Sequence, residues 1–446
     1  MTSTLLKHCA YVVSLDADGT VWRDVDVALV AGKIAAIGDQ AASQVDAFDQ
    51  TIDASNKLVM PGLVNLHTHL AMTLTRGAAE DVDLNGFLQR VWAVEGNLMD
   101  AETVGLGTRL GAWEALASGT TMVCDMYFHH EAGRRAAADV GLRLANGPTV
   151  MADAAPDRLS FEDRLEQIVS WPETLEDIAG PQAPLLLSPH STYLVSPDRL
   201  AEIRQAAIGW PSLAIHIHMS ETAAENADVL GRYGRTPTKI LADVGYLDGT
   251  APLVFAHGVH LTDDDLALIT NGPVTVSHNP ASNMKLASGG LDWSRLRAAG
   301  VKLGIGTDGC SSSNDLDMWT AIRLAGLLAR LVTGRPDAVS SLEILRAATS
   351  GGASALGWGD RLGSIETAKD ADLVLLDLDA PHLWPILDVH ALLVYAAGRG
   401  DVCDVFVAGE RVVADRHVTK IDEQQLLADV RRRGADASAV LAKIQS

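Results

Sequence analysis

Several apolar, strand-like runs in this 446-residue chain end in histidine or aspartate. The first ends in His67-Thr68-His69; residues two apart in an extended segment point to the same side, so both imidazoles could face one metal. Alone, the pair carries little weight, because buried histidine is ordinary. Later runs end in His190, in His216-Ile217-His218-Met219-Ser220-Glu221, in His257, in His278 and in Thr307-Asp308-Gly309. Ionisable groups gathered at one end of successive strands are costly to bury without a partner, so a shared chemical purpose is expected. Three imidazoles with one carboxylate form a nitrogen and oxygen set suited to Zn²⁺ with a position open for water. Bound water then has a pKa of about 7 and supplies hydroxide at neutral pH. Such chemistry needs a second acid or base to serve the leaving group, and Glu221, three residues beyond His218, is close enough to share the pocket.

Eight strand candidates position these residues: 58–66, 120–126, 142–150, 185–189, 213–217, 252–256, 273–277 and 301–306. They alternate with helical stretches such as 101–117 and 263–270, the latter opened by Thr262 with Asp265 three residues on. Eight βα units over about 250 residues fit a (β/α)8 barrel of the TIM type, whose active sites form at the carboxyl ends of the strands. A doubly wound open sheet is the alternative, but its glycine-rich dinucleotide fingerprint is absent. Both ends of the chain read as short strands and tight turns, and the turns at 30–33 and 407–410 look alike. Neither end is large enough to bury a core of its own, so one small β-sandwich built from both termini is expected rather than two separate appendages. The α/β chain therefore divides into sandwich residues 1–60, a catalytic barrel 61–362, and 363–446 as the rest of the sandwich plus a C-terminal helix.

Composition removes other classes. Apolar residues make up 48% and charged residues 21%, as in a soluble folded protein. With 35 Lys and Arg against 57 Asp and Glu, the net charge of −22 argues against nucleic-acid binding. No apolar run approaches the ~18 residues of a membrane span. The first ten residues lack the apolar core of a signal peptide, and the four cysteines form no Cys-x-x-Cys, so a cytoplasmic protein with reduced thiols is expected.

The segments 61–69, 218–222, 256–261, 277–283 and 306–309, taken in order, resemble the amidohydrolase superfamily, and within it the 5'-methylthioadenosine/S-adenosylhomocysteine deaminases of the chlorohydrolase-like group. The resemblance extends over nearly the whole chain. It implies that His67, His69, His218 and Asp308 hold one divalent metal, most simply Zn²⁺, with Fe²⁺ or Mn²⁺ also chemically suitable. No lysine stands at the end of strand four, so a mononuclear site is implied. By the same resemblance Asp308 also takes a proton from the bound water, Glu221 carries protons to the ring nitrogen and the departing ammonia, and His257 orients the hydroxide. His190 would hydrogen-bond the purine, and Glu95 would accept the ribose hydroxyls. His216 is open between a hydrogen-bond partner of a ligand and a core residue; His260 and His278 stay outside the ligand set.

Two departures bear on the substrate. Relatives that accept S-adenosylhomocysteine carry an arginine shortly after strand three, but 146–150 has none, leaving Arg158 as the substitute for pairing a substrate carboxylate. Gly258 stands where many relatives have cysteine. The implied substrate is adenosine or 5'-methylthioadenosine in preference to S-adenosylhomocysteine. An aminohydrolase of a free heterocycle, of the guanine/pterin or triazine kind, is the rival, and it would not need Glu95. A non-catalytic barrel would not need Glu221, His257 and Asp308 together. The unrelated zinc deaminases are excluded by their missing Pro-Cys-x-x-Cys signature. Many relatives are homo-oligomers, although no helix here announces an interface.

Overall fold

The computed structural model describes residues 2–151, 155–210 and 213–445. Strands and helices alternate through the middle of the chain to give an α/β fold on parallel sheets. One sheet holds Leu63–Thr68, Thr120–Asp125 and Arg143–Ala145. The other holds Thr149–Val150, Leu186–Pro189, Ala214–Met219, Leu253–His257, Val274–His278 and Lys302–Ile305, paired in chain order. Backbone bonds link the two sheets on both sides: Leu186 N donates to Asn146 O at 3.3 Å, and Asp308 N donates to His67 O at 2.9 Å. The expected third strand, 142–150, is interrupted where it crosses from one sheet to the other. Gly147 permits that crossing, since a Cβ there would lie 1.6 Å from Leu186 O.

The expected first strand, 58–66, is two strands. Lys57–Pro61 pairs antiparallel with Leu373–Asp377, and Leu63–Thr68 then pairs with Thr120–Asp125. The chain changes sheets at Gly62, where a Cβ would come within 2.1 Å of Thr121 Oγ1. Both halves are apolar and largely buried, so periodicity alone does not show the break.

The two ends of the chain form two further sheets. A four-stranded one contains Ser3–Cys9, Val25–Val30, Lys33–Ile37 and Gln50–Asp53. A seven-stranded one sets His417–Val418, Glu410–Ala414, Val402–Val407 and Leu373–Asp377 side by side and joins the last of these to three N-terminal strands through Lys57–Pro61. Leu6, Val27 and Leu29 from the smaller sheet share a buried cluster with Val59, Leu373, Leu375 and Phe406 from the larger. The look-alike turns have matching backbones, with φ of 52° and 81° at Ala31 and Gly32 and 49° and 76° at Ala408 and Gly409. They lie together: Ala371 N donates to Gly32 O at 2.9 Å, and Gly409 N to Ala371 O at 3.0 Å.

Helix Ala101–Ala117 has the expected bounds and is capped by Asp100, which accepts from Thr103 N at 2.8 Å. Helix Asp263–Ile269 begins with the expected capping box of Thr262 and Asp265. The last helix, Glu423–Gln445, lays Ala437, Val440 and Leu441 on Val94 and Leu98 of helix Leu84–Leu98, which borders the site. No helix among the described residues is long and apolar enough to cross a membrane.

A buried ion pair joins the parallel sheets to the terminal ones. Arg143 donates from Nε to Asp372 Oδ2 at 2.8 Å and from Nη2 to Asp372 Oδ1 at 2.9 Å, and it reaches Asp370 Oδ2 at 3.2 Å. Its side chain is 1% exposed, so removing it strands a buried carboxylate. Arg143→Ala is expected to lower the unfolding free energy by about 3–5 kcal/mol in urea denaturation. A loss below about 1 kcal/mol, the size of an exposed pair, would show that the bridge does not hold the sheets together.

Candidate metal and catalytic site

The strand ends bring four imidazoles and one carboxylate together. His67 ring centroids lie 4.9 Å from those of His69 and His218 and 5.2 Å from that of His257. Asp308, just past the last parallel strand, points Oδ1 at the Nε2 atoms of His67 and His69, each 3.2 Å away. What aims the rings is the use made of their other nitrogens. His69 Nδ1 donates to Met126 O at 2.6 Å and His218 Nδ1 to His190 O at 3.0 Å, which leaves each Nε2 with a lone pair. His67 Nδ1 lies 2.8 Å from His216 Nε2, so His216 is the hydrogen-bond partner of a candidate ligand.

This set fits a divalent metal. The candidate ligand atoms of His67, His69 and Asp308 lie within 4.8 Å of one another, as do those of His67, His218 and His257. Apart from its approach to Asp308, His67 Nε2 is buried without a hydrogen-bond partner. Burial pushes His67 down to about 4 and His218 well below the usual imidazole range, so both offer neutral lone pairs. Burial opposes charge on Asp308 too, but hydrogen bonds and charge from His67 and His69 hold its carboxyl well below the ordinary range. His69 responds in the opposite sense: burial disfavours its proton, yet the hydrogen bond and charge of Asp308 raise it to about 9. The Asp308 carboxylate thus favours a cation at this spot: a proton on His69 Nε2 without a metal, and the metal itself, on the Nε2 lone pair, when one is bound.

A second group surrounds Glu221. Its Oε1 accepts from Ser288 Oγ at 3.2 Å, and its Oε2 lies 3.8 Å from His257 Nε2. His257 Nδ1 donates to Asn283 Oδ1 at 2.8 Å, and Ser282 Oγ donates to Asp308 Oδ2 at 2.7 Å. Burial raises the Glu221 carboxyl above the usual range. Ser220, His257 and Asp308 have φ of 48°, 75° and 60°, a left-handed backbone that non-glycine residues adopt at a cost and that clusters at functional sites.

His69, His190, His218, Glu221, His257 and Asp308 share one cleft with Glu95, against an apolar wall that includes Phe87, Trp92 and Phe128. The free space enclosed among these side chains is about 50 Å³, so the cleft is narrow in this structure. Glu95 is only 1% exposed and accepts from Tyr127 OH at 2.6 Å; burial pushes its carboxyl up to about 7. Arg158 is not brought into the cleft. It is exposed, donates from Nη2 to Gly96 O at 3.2 Å, and lines a separate groove beside Trp92. His260 donates to Ser288 O, and His278 is buried near Trp293, so neither joins the ligand cluster.

Sequence reasoning missed Ser282, Asn283 and Ser288 as partners of Asp308, His257 and Glu221. The first two fall inside the quoted segment 277–283, but nothing in their types says which turns inward. Ser288 carries no signal of its own.

The amidohydrolase family model matches residues 58–412. A 5-methylthioadenosine/S-adenosylhomocysteine deaminase from Moorella thermoacetica is 40% identical over 388 residues, 86% of this chain and 88% of that protein. A 5'-deoxyadenosine deaminase from Methanosarcina mazei is 35% identical over the full length of both. The crystal structure of an adenosine deaminase from Xanthomonas campestris with bound zinc is 35% identical and superposes with a TM-score of 0.92, covering 98% of this chain and 99% of that one.

The burial of Glu95 has a measurable signature. Its carboxyl keeps a proton in the folded chain up to about 7, against 4.5 without burial. The associated stability is complete below the unfolded value and is lost as pH rises through the folded one. In chelator-treated protein, Glu95→Gln should therefore lose less stability than the native chain from about pH 4 to pH 8, by up to about 3 kcal/mol. Parallel stability curves for the two proteins would mean that Glu95 is ionised throughout.

Proposed function

The chain belongs to the amidohydrolase family, and we propose that it is a metal-dependent deaminase of an adenine nucleoside, acting on adenosine or 5'-methylthioadenosine in preference to S-adenosylhomocysteine. The observation that carries this reading is a single cleft that Glu95 lines together with the imidazoles and Asp308. A buried carboxylate held on one side by Tyr127 is a natural acceptor for paired ribose hydroxyls, whereas a free base offers none. Similarity to deaminases of adenine nucleosides from Moorella thermoacetica and Methanosarcina mazei supports the same substrate class.

We read residues 61–362 as a closed (β/α)8 barrel, supported by the bonds that join the two parallel sheets on both sides. Residues 1–60 and 363–446 are read as one sandwich plus the C-terminal helix, supported by the shared core of the terminal sheets. The enzyme is read as cytoplasmic, in keeping with four buried free thiols.

His67, His69, His218 and Asp308 would hold one divalent metal, with Zn²⁺ favoured by the imidazole and carboxylate donors over Fe²⁺ or Mn²⁺. When bound, the ion acidifies a water molecule to a pKa of about 7 and so supplies the nucleophile. Overall, water adds at the purine C6, ammonia leaves, and the 6-oxo nucleoside remains. Asp308, kept ionised by its neighbours, receives a proton at Oδ2, where Ser282 holds it. Glu221 gives its carboxyl proton to the ring nitrogen beside C6; the proton received by Asp308 then passes to the departing amine, and the second proton of the added water returns to Glu221. His257, with Nδ1 committed to Asn283, offers Nε2 to the oxygen entering at C6. His190, neutral because burial pushes it down to about 3, hydrogen-bonds the purine edge. No arginine or lysine lines the cleft among the described residues, so a substrate carboxylate finds no bidentate partner there.

Incubation with purine nucleosides, free bases and triazines, read by ammonia release and ultraviolet shift, should give turnover of adenosine or 5'-methylthioadenosine. Activity on guanine or a triazine with none on any nucleoside would overturn the assignment. Glu221→Gln should retain about one equivalent of metal per chain while turnover falls by about 10²–10⁴-fold. Native rates in that variant, or two equivalents of metal, would overturn the proton-carrier role or the mononuclear site respectively.

A further inference from the structure

Between the strand that carries His218 and the helix that follows it, the chain makes a turn whose hydrogen bonding exceeds what a helix start requires. Thr222 caps helix Ala223–Tyr233, and Glu225 occupies the third position of a capping box. In an ordinary box that carboxylate serves the backbone N–H of the cap residue. Here Glu225 Oε2 accepts from Thr222 N at 3.5 Å and also from Glu221 N at 2.7 Å, while Oε1 accepts from Ser220 N at 3.1 Å. Three consecutive amides thus converge on one buried carboxylate.

Two other boxes in the same chain provide the comparison. Asp163 serves the amide and hydroxyl of Ser160, and Asp265 those of Thr262. In neither case does the carboxylate accept from an amide ahead of the cap residue; the free oxygen of Asp265 takes the Thr236 hydroxyl instead. Both boxes use aspartate; the extra methylene of glutamate lets Glu225 reach two residues further back. Those two residues are the ones that matter chemically. Ser220 is left-handed at φ 48°, and Glu221 follows it directly. Burial, then the charge of Glu221, pushes the Glu225 carboxyl up to about 7, an expensive placement if the only return were a helix cap.

We propose that Glu225 is a positioning residue for the reaction: by gathering the amides of 220–222 it fixes the turn that aims the Glu221 carboxylate at the cleft. The far side of the turn is held separately, with His260 N donating to Ser220 O at 2.9 Å and Ser288 Oγ bonding Glu221 itself. Glu225 supplies the acceptor for the amides, so its loss frees the left-handed serine and the residue after it. The inference rests on the role proposed above for Glu221 as proton carrier.

Glu225→Asp separates aiming from capping, because aspartate still caps Thr222, as Asp163 and Asp265 do for their helices, but is too short for Ser220. With adenosine and 5'-methylthioadenosine as substrates, it should melt like the native protein, bind the same metal and keep KM within about twofold, while kcat falls about 100-fold. Glu225→Gln, which keeps the length but loses one acceptor oxygen, should lie between the two. Combined with Glu221→Gln, Glu225→Asp should cause no further loss, since both act through one group. Native kcat in Glu225→Asp beside an inactive Glu221→Gln, or an additive loss in the double variant, would overturn this proposal alone. Native turnover in Glu221→Gln would overturn the role of Glu221 and this proposal with it.

Discussion

The arrangement of the strand ends follows from one buried carboxylate. Asp308 is 5% exposed, and an ionised group taken out of water must be repaid by donors and positive charge. Its Oδ1 accepts from Gly309 N at 2.7 Å and faces two imidazoles, and its Oδ2 accepts from Ser282. Those two imidazoles can face it because their outer nitrogens are already occupied, His69 Nδ1 by Met126 O and His67 Nδ1 by His216. A chain of requirements therefore runs outward from Asp308 to the Met126 carbonyl and to the His216 ring.

Asp308 itself is in place because the first and last parallel strands are tied side by side. Asn65 Nδ2 donates to Thr307 Oγ1 at 2.7 Å, and Thr307 N returns a bond to Asn65 Oδ1 at 3.1 Å. Thr68 Oγ1 adds a bond to Asp308 O at 3.1 Å. Across some 240 residues of sequence, these short polar links bring Asp308 between His67 and His69. The wall of the cleft depends on a longer connection. Helix Leu84–Leu98, which carries Glu95, is backed by the C-terminal helix, so residues at the end of the chain support a group that faces the substrate.

Legibility in the sequence followed the kind of atom involved. His67, His69, His218, Glu221, His257 and Asp308 could be found because side chains at strand ends leave a pattern of residue types, and the structure gathers all of them. Met126 O and His190 O could not, because a carbonyl acceptor has no residue identity. The split of 58–66 into two strands was hidden because both halves are apolar and Gly62 is one glycine among many. Arg158 illustrates a different limit: its distance along the chain from strand three suited a substrate contact, but sequence distance carries no direction. Its backbone turns left-handed at φ 59° and its guanidinium goes to Gly96 O. The start of the helix at 263 was legible because Thr262, with Asp265 three residues on, announces it chemically.

The cleft also shows how one protein environment gives two carboxyls opposite properties. Asp308 Oδ2 and Glu221 Oε2 stand 3.9 and 3.8 Å from the same nitrogen, His257 Nε2, and both are buried. Burial alone would raise both. Asp308 is nevertheless held low, because two imidazoles hydrogen-bond it directly, whereas Glu221 has one serine hydroxyl and the opposing charge of Asp308, and stays raised. Environments that push neighbouring acids apart in this way separate a proton acceptor from a proton donor. On the proposed reaction, the group that must take a proton from water and the group that must give one to the purine are distinguished by their hydrogen-bond donors rather than by residue type or depth. His67 and His69 decide the matter by facing Asp308 and not Glu221.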